Sequence, residues 1–570
     1  MIFLHNNASD FVYKPKRNQL YMTCKIQKGM TEEVLIKYYD RVELIIESVQ
    51  MKKKYEDETF DYFTAVIHED SYVSYLKYYF EVKPKETDEV IYFGPHGEEK
   101  TPPTYPFEFL YLNEGEVSSP PSWLKSSIFY QIFPERFYNG DKSNDHKDTV
   151  EWSSSPSREN YMGGDLKGII DKIDYLTDLK INCLYLTPIF LADFNHKYAT
   201  TDYYEVDPLF GNKQTLHDLV NICHKNNIRI LLDGVFNHSG INFFAFKDIL
   251  KNQEESIYKH WYYIKKFPVE ISEENYECVG NYKWMPKLNT SNVDVQNYFI
   301  DVMSYWIEEF DIDGWRLDVA DEVDKLLLLR ANQWIKQKYG REKALVGETW
   351  GYPNDMLTEN QVDSVMNYVF RDNMINYICN DSISNRTFIN RSEKMYGKIS
   401  DVYNDSLYNL LDSHDTERFF TLCKENVGKF KLAVILQFVL KGAPAVYYGD
   451  EIGMTGYNDP DCRKGMEWEK VNPSNDILNH YKKCIDLRTN YKVLQNGEIN
   501  LYDIDKLLKV ERIFNDEKIV LFTNNSKNAL SINEDLSDVE LIYSSSDNSN
   551  KIEEYGFRLY KNIVREEESK

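Results

Sequence analysis

From Trp123 onward, eight short apolar runs alternate with longer amphipathic stretches. The runs are Ile128–Phe133, Cys183–Thr187, Ile228–Phe236, Gly314–Asp318, Ala344–Glu348, Ser364–Val369, Tyr408–Leu411 and Ala445–Tyr448, with helical patterns such as Val295–Phe310 and Lys429–Leu440 between them. Strand followed by helix, repeated eight times, predicts a (β/α)8 barrel with its parallel strands inside and its helices outside. One connection breaks the rhythm. Residues 239–292 are too many for a plain loop and predict a small subdomain inserted after the third strand.

The flanks read differently. Residues 1–120 hold the short aromatic and β-branched runs Gln19–Gln27, Arg41–Val49, Tyr62–Ile67 and Tyr78–Val82, which predict an N-terminal β-sandwich. Lys52–Lys54 reads as a solvated loop. The proline-punctuated stretches Thr101–Pro106 and Ser118–Ser122 mark the exit from the sandwich. The barrel is expected over 121–493. Residues 494–570, with Leu507–Ile513, Lys518–Phe522 and Val539–Tyr543, predict a C-terminal β-sandwich that ends in a frayed charged tail, VREEESK.

Composition removes several function classes. With 92 acidic against 67 basic side chains the net charge is −25, and no basic patch interrupts it, so no nucleic-acid partner is expected. No apolar run reaches about 18 residues, the length a membrane span needs, so no membrane partner is expected. The N-terminus lacks a basic region followed by an apolar one, and the eight cysteines are scattered without a CxxC pair. Both features favour a cytoplasmic protein with isolated thiols.

The polar residues that end the strands carry the chemistry. The third strand ends in Asp233-Gly-Val-Phe-Asn237-His238, the fourth in Arg316-Leu-Asp318, and the fifth in Glu348-Thr-Trp350; the seventh is followed by His414-Asp415. Strand ends of a barrel converge on one mouth, so Asp318, Glu348 and Asp415 are expected in one pocket. Carboxylates so gathered suit glycoside hydrolysis or transfer, which with retention needs a nucleophile and an acid about 5–5.5 Å apart. Arg316, two residues before Asp318, faces the same side and would keep it ionised, while neighbouring carboxylates would keep a proton on Glu348.

The blocks DGVFNH (233–238), GWRLDVADE (314–322), ALVGETW (344–350) and LLDSHD (410–415) resemble the ordered signature regions of the α-amylase family of retaining glycoside hydrolases. MPKLN (285–289) and GAPAVYYGDEIGM (442–454) resemble two further blocks, MPKLN that of the neopullulanase, cyclomaltodextrinase and maltogenic amylase subgroup. The resemblance implies Asp318 as nucleophile, Glu348 as general acid/base and Asp415 as transition-state stabiliser. It implies that Tyr198, His238, Arg316 and His414 line the subsite of the attacked glucose, with Asp233 as an anchor. Asp459 and Arg463 would meet the sugar on the non-reducing side, Trp350 would form an aromatic wall, and Glu322 would lie beside the acceptor. Ala199, where the subgroup usually carries Asp, and Lys464-Gly465, in place of an Arg-Pro-like pair, depart from the pattern.

Two further expectations follow. Asn139, Asp141, Asn144, Asp145, Gly163 and Asp165 supply hard oxygen ligands that suit a structural Ca²⁺, with a plain polar turn as the alternative. The resemblance also implies a homodimer formed through the N-terminal domain, with glucan binding by that domain as the alternative, and activity on cyclomaltodextrins, maltooligosaccharides and pullulan with some transglycosylation. A glucan transferase or isomerase on the same fold is the alternative; a non-catalytic interaction protein would be expected to have lost the three carboxylates.

Overall fold

The computed structural model describes residues 1–8, 11–42, 44–117, 119–352, 356–357, 360–546 and 551–563; the charged tail lies outside the described residues. The chain divides into two compact units.

The first unit comprises Met1–Pro120 with Tyr352–Asp363 and Arg386–Asn404. Its core is a β-sandwich. One sheet contains Phe3–Leu4, Val12–Lys16, Gln19–Gln27, Phe60–His68 and Lys52–Glu56; the other contains Gly97–Glu99, Ile91–Gly94, Ser74–Pro84, Thr31–Asp40, Glu47–Gln50 and Phe107–Tyr111. Alternation drives this arrangement: Gln19–Gln27 buries every second residue, and Leu20, Met22, Cys24 and Ile26 face Val34, Ile36, Phe80 and Val82 across a dry core. Two expectations are corrected. The run Arg41–Val49 is not a strand; Thr31–Asp40 is the strand, and only Glu47–Gln50 pairs back on it after a turn. Lys52–Lys54 is no loop but part of the edge strand Lys52–Glu56, where Lys53 pairs with Glu56 and Asp61 and Lys54 pairs with Asp401. Charged edges of this kind block further strand addition.

The second unit carries the closed barrel. Its parallel strands are β1 (Phe129–Ile132), β2 (Cys183–Leu186), β3 (Arg229–Gly234), β4 (Gly314–Leu317), β5 (Ala344–Thr349), β6 (Ser364–Asn367), β7 (Tyr408–Leu410) and β8 (Ala443–Tyr447), joined in that order with β8 returning to β1. Inward positions follow a period of two. Phe129, Cys183, Leu231, Ala344, Val346, Met366, Tyr408 and Ala445 fill the interior. Further along the same inward rows come Gln131, Tyr185, Asp233, Arg316 and Glu348, so the rows that pack the barrel low down deliver polar groups at its carboxyl end. Register sets their heights: Asp233 is level with Arg316, and the pairing of Leu317 with Gly347 puts Asp318 level with Glu348 one step higher.

The segment 239–292 forms an irregular insert with one helix, Phe244–Asn252, and isolated bridges that include His238 with Lys287. In the C-terminal part, Glu498–Ile504, Leu507–Phe514, Glu517–Thr523, Phe557–Asn562 and Val539–Ser544 form one antiparallel sheet, faced by the small ribbon of Leu530–Ser531 and Lys551–Ile552. Buried Arg512 ties this sheet to the barrel by donating to the carbonyls of Val439 and Gly497 at 2.7 and 2.9 Å. No helix among the described residues is long and apolar enough to cross a membrane.

Candidate active site

Arg316 is the centre of the barrel mouth. Its Nη1 donates to both carboxylate oxygens of Asp233, at 3.0 Å each, and to Asp318 Oδ1 at 2.9 Å; its Nη2 lies 2.7 Å from Glu348 Oε2. One buried guanidinium therefore touches three buried carboxyls. Asp233 is also bound by the hydroxyls of Tyr185 (2.6 Å) and Tyr198 (3.0 Å), which leaves it no free face. Glu348 Oε2 accepts the Val319 backbone N–H at 2.9 Å, while Oε1 is turned toward the indole N–H of Trp350, 3.3 Å away.

Asp415 has a second guanidinium. Arg463 Nη2 donates to its Oδ1 at 3.1 Å, and His414 Nε2 lies 3.2 Å from Oδ2. The Gln131 amide donates to His414 Nδ1 at 2.6 Å, which puts the ring proton on Nε2, facing Asp415 and the Tyr198 oxygen. Tyr198 links the two groups, its hydroxyl meeting His414 Nε2 on the Asp415 side and donating to Asp233 on the Arg316 side.

The electrostatics divide these groups. Burial raises the carboxyls of Asp318 and Glu348 above the usual range, with Arg316 pulling both back down and the charge of Asp415 adding to the rise. A single cation shared among Asp233, Asp318 and Glu348 leaves the cluster with a raised affinity for a proton. For Glu348 burial, not like-charge repulsion, is the larger cause of the rise. Asp415 goes the other way: burial pushes it up, but His414, Arg463 and Arg316 together outweigh that and hold it below the ordinary value. Burial lowers His238 to about 4 and both His196 and His414 to about 3, so all three rings are neutral at working pH.

The other expected residues fall around this centre. Tyr198 stacks parallel to His414, with centroids 5.4 Å apart. Trp350 is more than half exposed and lies flat on Tyr368 at 4.1 Å. His238 is buried, and neither ring nitrogen has a hydrogen-bond partner. Asp459 is clamped by Arg463 at 2.9 Å and by Arg158 at 3.2 Å. Glu322 is paired at 2.6 Å with Lys287, whose ammonium also donates to Asn237 Oδ1 at 2.7 Å. Sequence reasoning passed over Tyr185, Gln131, Lys287 and Arg158. The first two occupy the inward rows of β2 and β1, so extending the parity that selected Asp233 and Arg316 to those strands would have found them.

The oxygen-rich loop is a separate place. Asn139 Nδ2 donates to Asp145 Oδ1 at 2.8 Å, and the side-chain oxygens of Asn139 and Asn144 are buried without a partner. Gly163 sits at φ +81°, where a Cβ would lie 2.4 Å from Asp145 Oδ1. Orphaned amide oxygens beside a carboxylate fit a hard cation. Two of the six residues are otherwise engaged. The Asp165 carboxylate caps the following helix through Gly168 N and also accepts from the Gly140 and Asp141 N–H groups, while Asp141 Oδ1 accepts from Ser143. Among the described residues no group of three His, Cys, Asp or Glu side chains forms a metal cluster.

Comparison with known proteins now decides the family. The profile described as alpha amylase, catalytic domain, matches residues 131–510, and that described as alpha amylase, N-terminal ig-like domain, matches residues 1–113. The chain belongs to the α-amylase family. It is 39% identical over 531 residues to a cyclomaltodextrinase of Thermoanaerobacter pseudethanolicus, covering 92% of each chain. It is also 39% identical over 535 residues to neopullulanase 2 of Thermoactinomyces vulgaris, covering 91% of this chain and 90% of that one. A solved cyclomaltodextrinase structure superposes with a TM-score of 0.90 at 34% identity, covering 98% and 99% of the two chains. The expected fold holds: ig-like sandwich, eight-stranded barrel and C-terminal sheet. This α-amylase-family chain is a glycoside hydrolase.

Removal of the Tyr185 hydroxyl strips Asp233 of a 2.6 Å donor in a dry site. Leaving a buried acceptor short costs about 1–3 kcal/mol. Tyr185→Phe is expected to lower kcat/KM about tenfold by loosening the Arg316 anchor, and to lower the thermal midpoint. Unchanged steady-state kinetics would show that the anchor does not depend on it.

Proposed function

We propose that this hydrolase cleaves α-1,4-glucosidic bonds of cyclomaltodextrins, maltooligosaccharides and pullulan with net retention and some transglycosylation. One observation carries the mechanism: Asp318 and Glu348 are gripped by the two ends of one guanidinium, while Asp415 belongs to another. With the cluster's proton on Glu348, Asp318 is left ionised against Arg316 and attacks the anomeric carbon as Glu348 gives that proton from Oε1 to the departing glycosidic oxygen. The ion pair is spent at that moment, because the nucleophile's charge goes into the new C–O bond. Water, or the hydroxyl of a second sugar, then yields its proton to the Glu348 carboxylate and displaces Asp318. Two inversions give retention. Asp415, held ionised, and the unpartnered His238 ring bind sugar hydroxyls and tighten as the ring flattens. Tyr198 is the stacking platform, and Trp350, Asp459 and Arg463 extend the site. Similarity to a cyclomaltodextrinase and a neopullulanase supports the substrate class.

Glu348, raised by burial, loses its proton as pH climbs, so kcat/KM on maltotriose is expected to fall on the alkaline side. Glu348→Gln should lose about 10²–10⁴ in the glycosyl-transfer step on maltotriose but still release fluoride from α-maltosyl fluoride in the first turnover, where the leaving group needs no proton, without that alkaline fall. Equal losses on both substrates would assign the acid elsewhere.

A homodimer through the N-terminal domain is supported by the loop that follows Thr31–Asp40, where Val42, Leu44, Ile45 and Ile46 are all more than half exposed. A run of aliphatics of this kind in water marks a contact surface. Sedimentation should give a dimer for the wild type and a monomer for Leu44→Glu/Ile45→Glu; a monomeric wild type ends that reading. The Asn139–Asp145 loop is proposed to hold a structural Ca²⁺. A chelator should then lower the thermal midpoint and leave kcat unchanged at low temperature, whereas an unmoved midpoint rules the ion out. A cytoplasmic location is supported by eight free thiols, including Cys379 and Cys423 unbonded at 3.5 Å.

A further inference from the structure

The departure Lys464-Gly465 has a structural consequence away from the catalytic carboxyls. A cavity of about 210 Å³ opens between residues 152–156 and 464–469, lined by Trp152, Ser153, Ser154, Ser155, Gly465 and Glu469 among others. Gly465 is what lets the indole in. A Cβ there would lie 2.9 Å from Trp152 Nε1 and 3.0 Å from Cε2, so any side chain would push the ring away. The indole N–H is already spent on the Met466 carbonyl at 2.9 Å, which fixes the ring while leaving part of it exposed. The hydroxyls of Ser153, Ser154 and Ser155 make no hydrogen bond to the described residues; the Ser154 N–H donates to the Glu151 carbonyl, and the Ser155 carbonyl accepts from Asn160 Nδ2.

The charges around the cavity are mostly settled. Lys464 donates to the Thr455 carbonyl at 2.9 Å and faces Asp461, and Glu467 pairs with Lys470, which leaves the exposed Glu469 as an unpaired carboxylate. An anionic ligand is therefore disfavoured. A fixed aromatic ring, three uncommitted hydroxyls and one carboxylate acceptor, in a space the size of one pyranose, match a neutral sugar. The cavity also adjoins the candidate active site through its own chain. Pro156 is two residues from Arg158 and Lys464 is next to Arg463, and these two arginines clamp Asp459.

We propose that this cavity is an auxiliary binding site for a glucose unit of an α-glucan, separated from the catalytic centre by the Arg158–Asp459–Arg463 clamp. Trp152 is its platform, and Ser153–Ser155 and Glu469 are its polar contacts. The proposal rests on the α-glucan reading above and adds a second place where the same substrate class is held.

The test is ¹⁹F NMR of the full chain labelled with 5-fluorotryptophan, in an Asp318→Asn background, titrated with maltotriose. Trp152→Phe and Trp350→Phe assign the two reporter lines, one for each site. Both lines are expected to move saturably with different midpoints. In Gly465→Val the Trp152 response should vanish while the Trp350 response stays, and glucose 6-phosphate should leave the Trp152 line still. A Trp350 line that moves beside a silent Trp152 line overturns the auxiliary site and spares the α-glucan reading. A Trp152 response that follows the Trp350 midpoint and survives Gly465→Val also overturns it, as transmitted from the catalytic site. If neither line moves and the wild type leaves β-cyclodextrin and maltotriose intact, the α-glucan reading falls and the auxiliary site with it.

Discussion

A single buried guanidinium organises this molecule's working end. Arg316 contacts Asp233, Asp318 and Glu348 at 2.7–3.0 Å with almost no solvent to share the load. Removing several charges from water is costly unless each is paired and hydrogen-bonded. Here the cost is offset by geometry: Asp233 is saturated by Arg316 and two tyrosine hydroxyls and stays fixed, which in turn fixes the guanidinium. The two remaining carboxyls then divide what is left of one positive charge. That shortage raises the affinity of the two carboxyls for a proton, the condition under which an acid can stand beside an ionised carboxylate.

The barrel makes this possible through register. Parallel strands set Asp233 level with Arg316 and Asp318 level with Glu348, so residues far apart in the chain arrive at fixed heights. Asp415 enters from a different direction, on the turn after β7, and its partners Arg463 and His414 come from later chain and from that same turn. The two clusters can thus hold opposite protonation tendencies. The three neutral imidazoles complete the division, because they can bind hydroxyls without adding charge to the balance.

Much of this was legible in the sequence, for physical reasons that also explain what was not. All eight barrel strands were visible because a strand buried on both faces must be continuously apolar, and Asp233, Arg316, Asp318 and Glu348 stood out as polar interruptions of such runs. Tyr185 and Gln131 were passed over because a tyrosine or glutamine in an apolar strand looks like packing. Arg158 and Lys287 lie in irregular loops with no periodicity to place them. In the sandwich, the exposed aliphatics Val42, Leu44, Ile45 and Ile46 imitated a strand, and the lysines of Lys52–Glu56 imitated a loop, because exposed aliphatics and charged edge strands invert the usual link between burial and hydrophobicity.

The account stands on Asp318 being the atom donor to a covalent glycosyl intermediate beside a separate acid. The most direct measurement is peptide mass spectrometry of Glu348→Gln after brief reaction with α-maltosyl fluoride, where loss of the base slows release. A maltosyl increment is expected on the peptide holding Asp318, and on no other. The same increment on the peptide holding Asp415 or Asp233, or direct hydrolysis with inverted product, would contradict it.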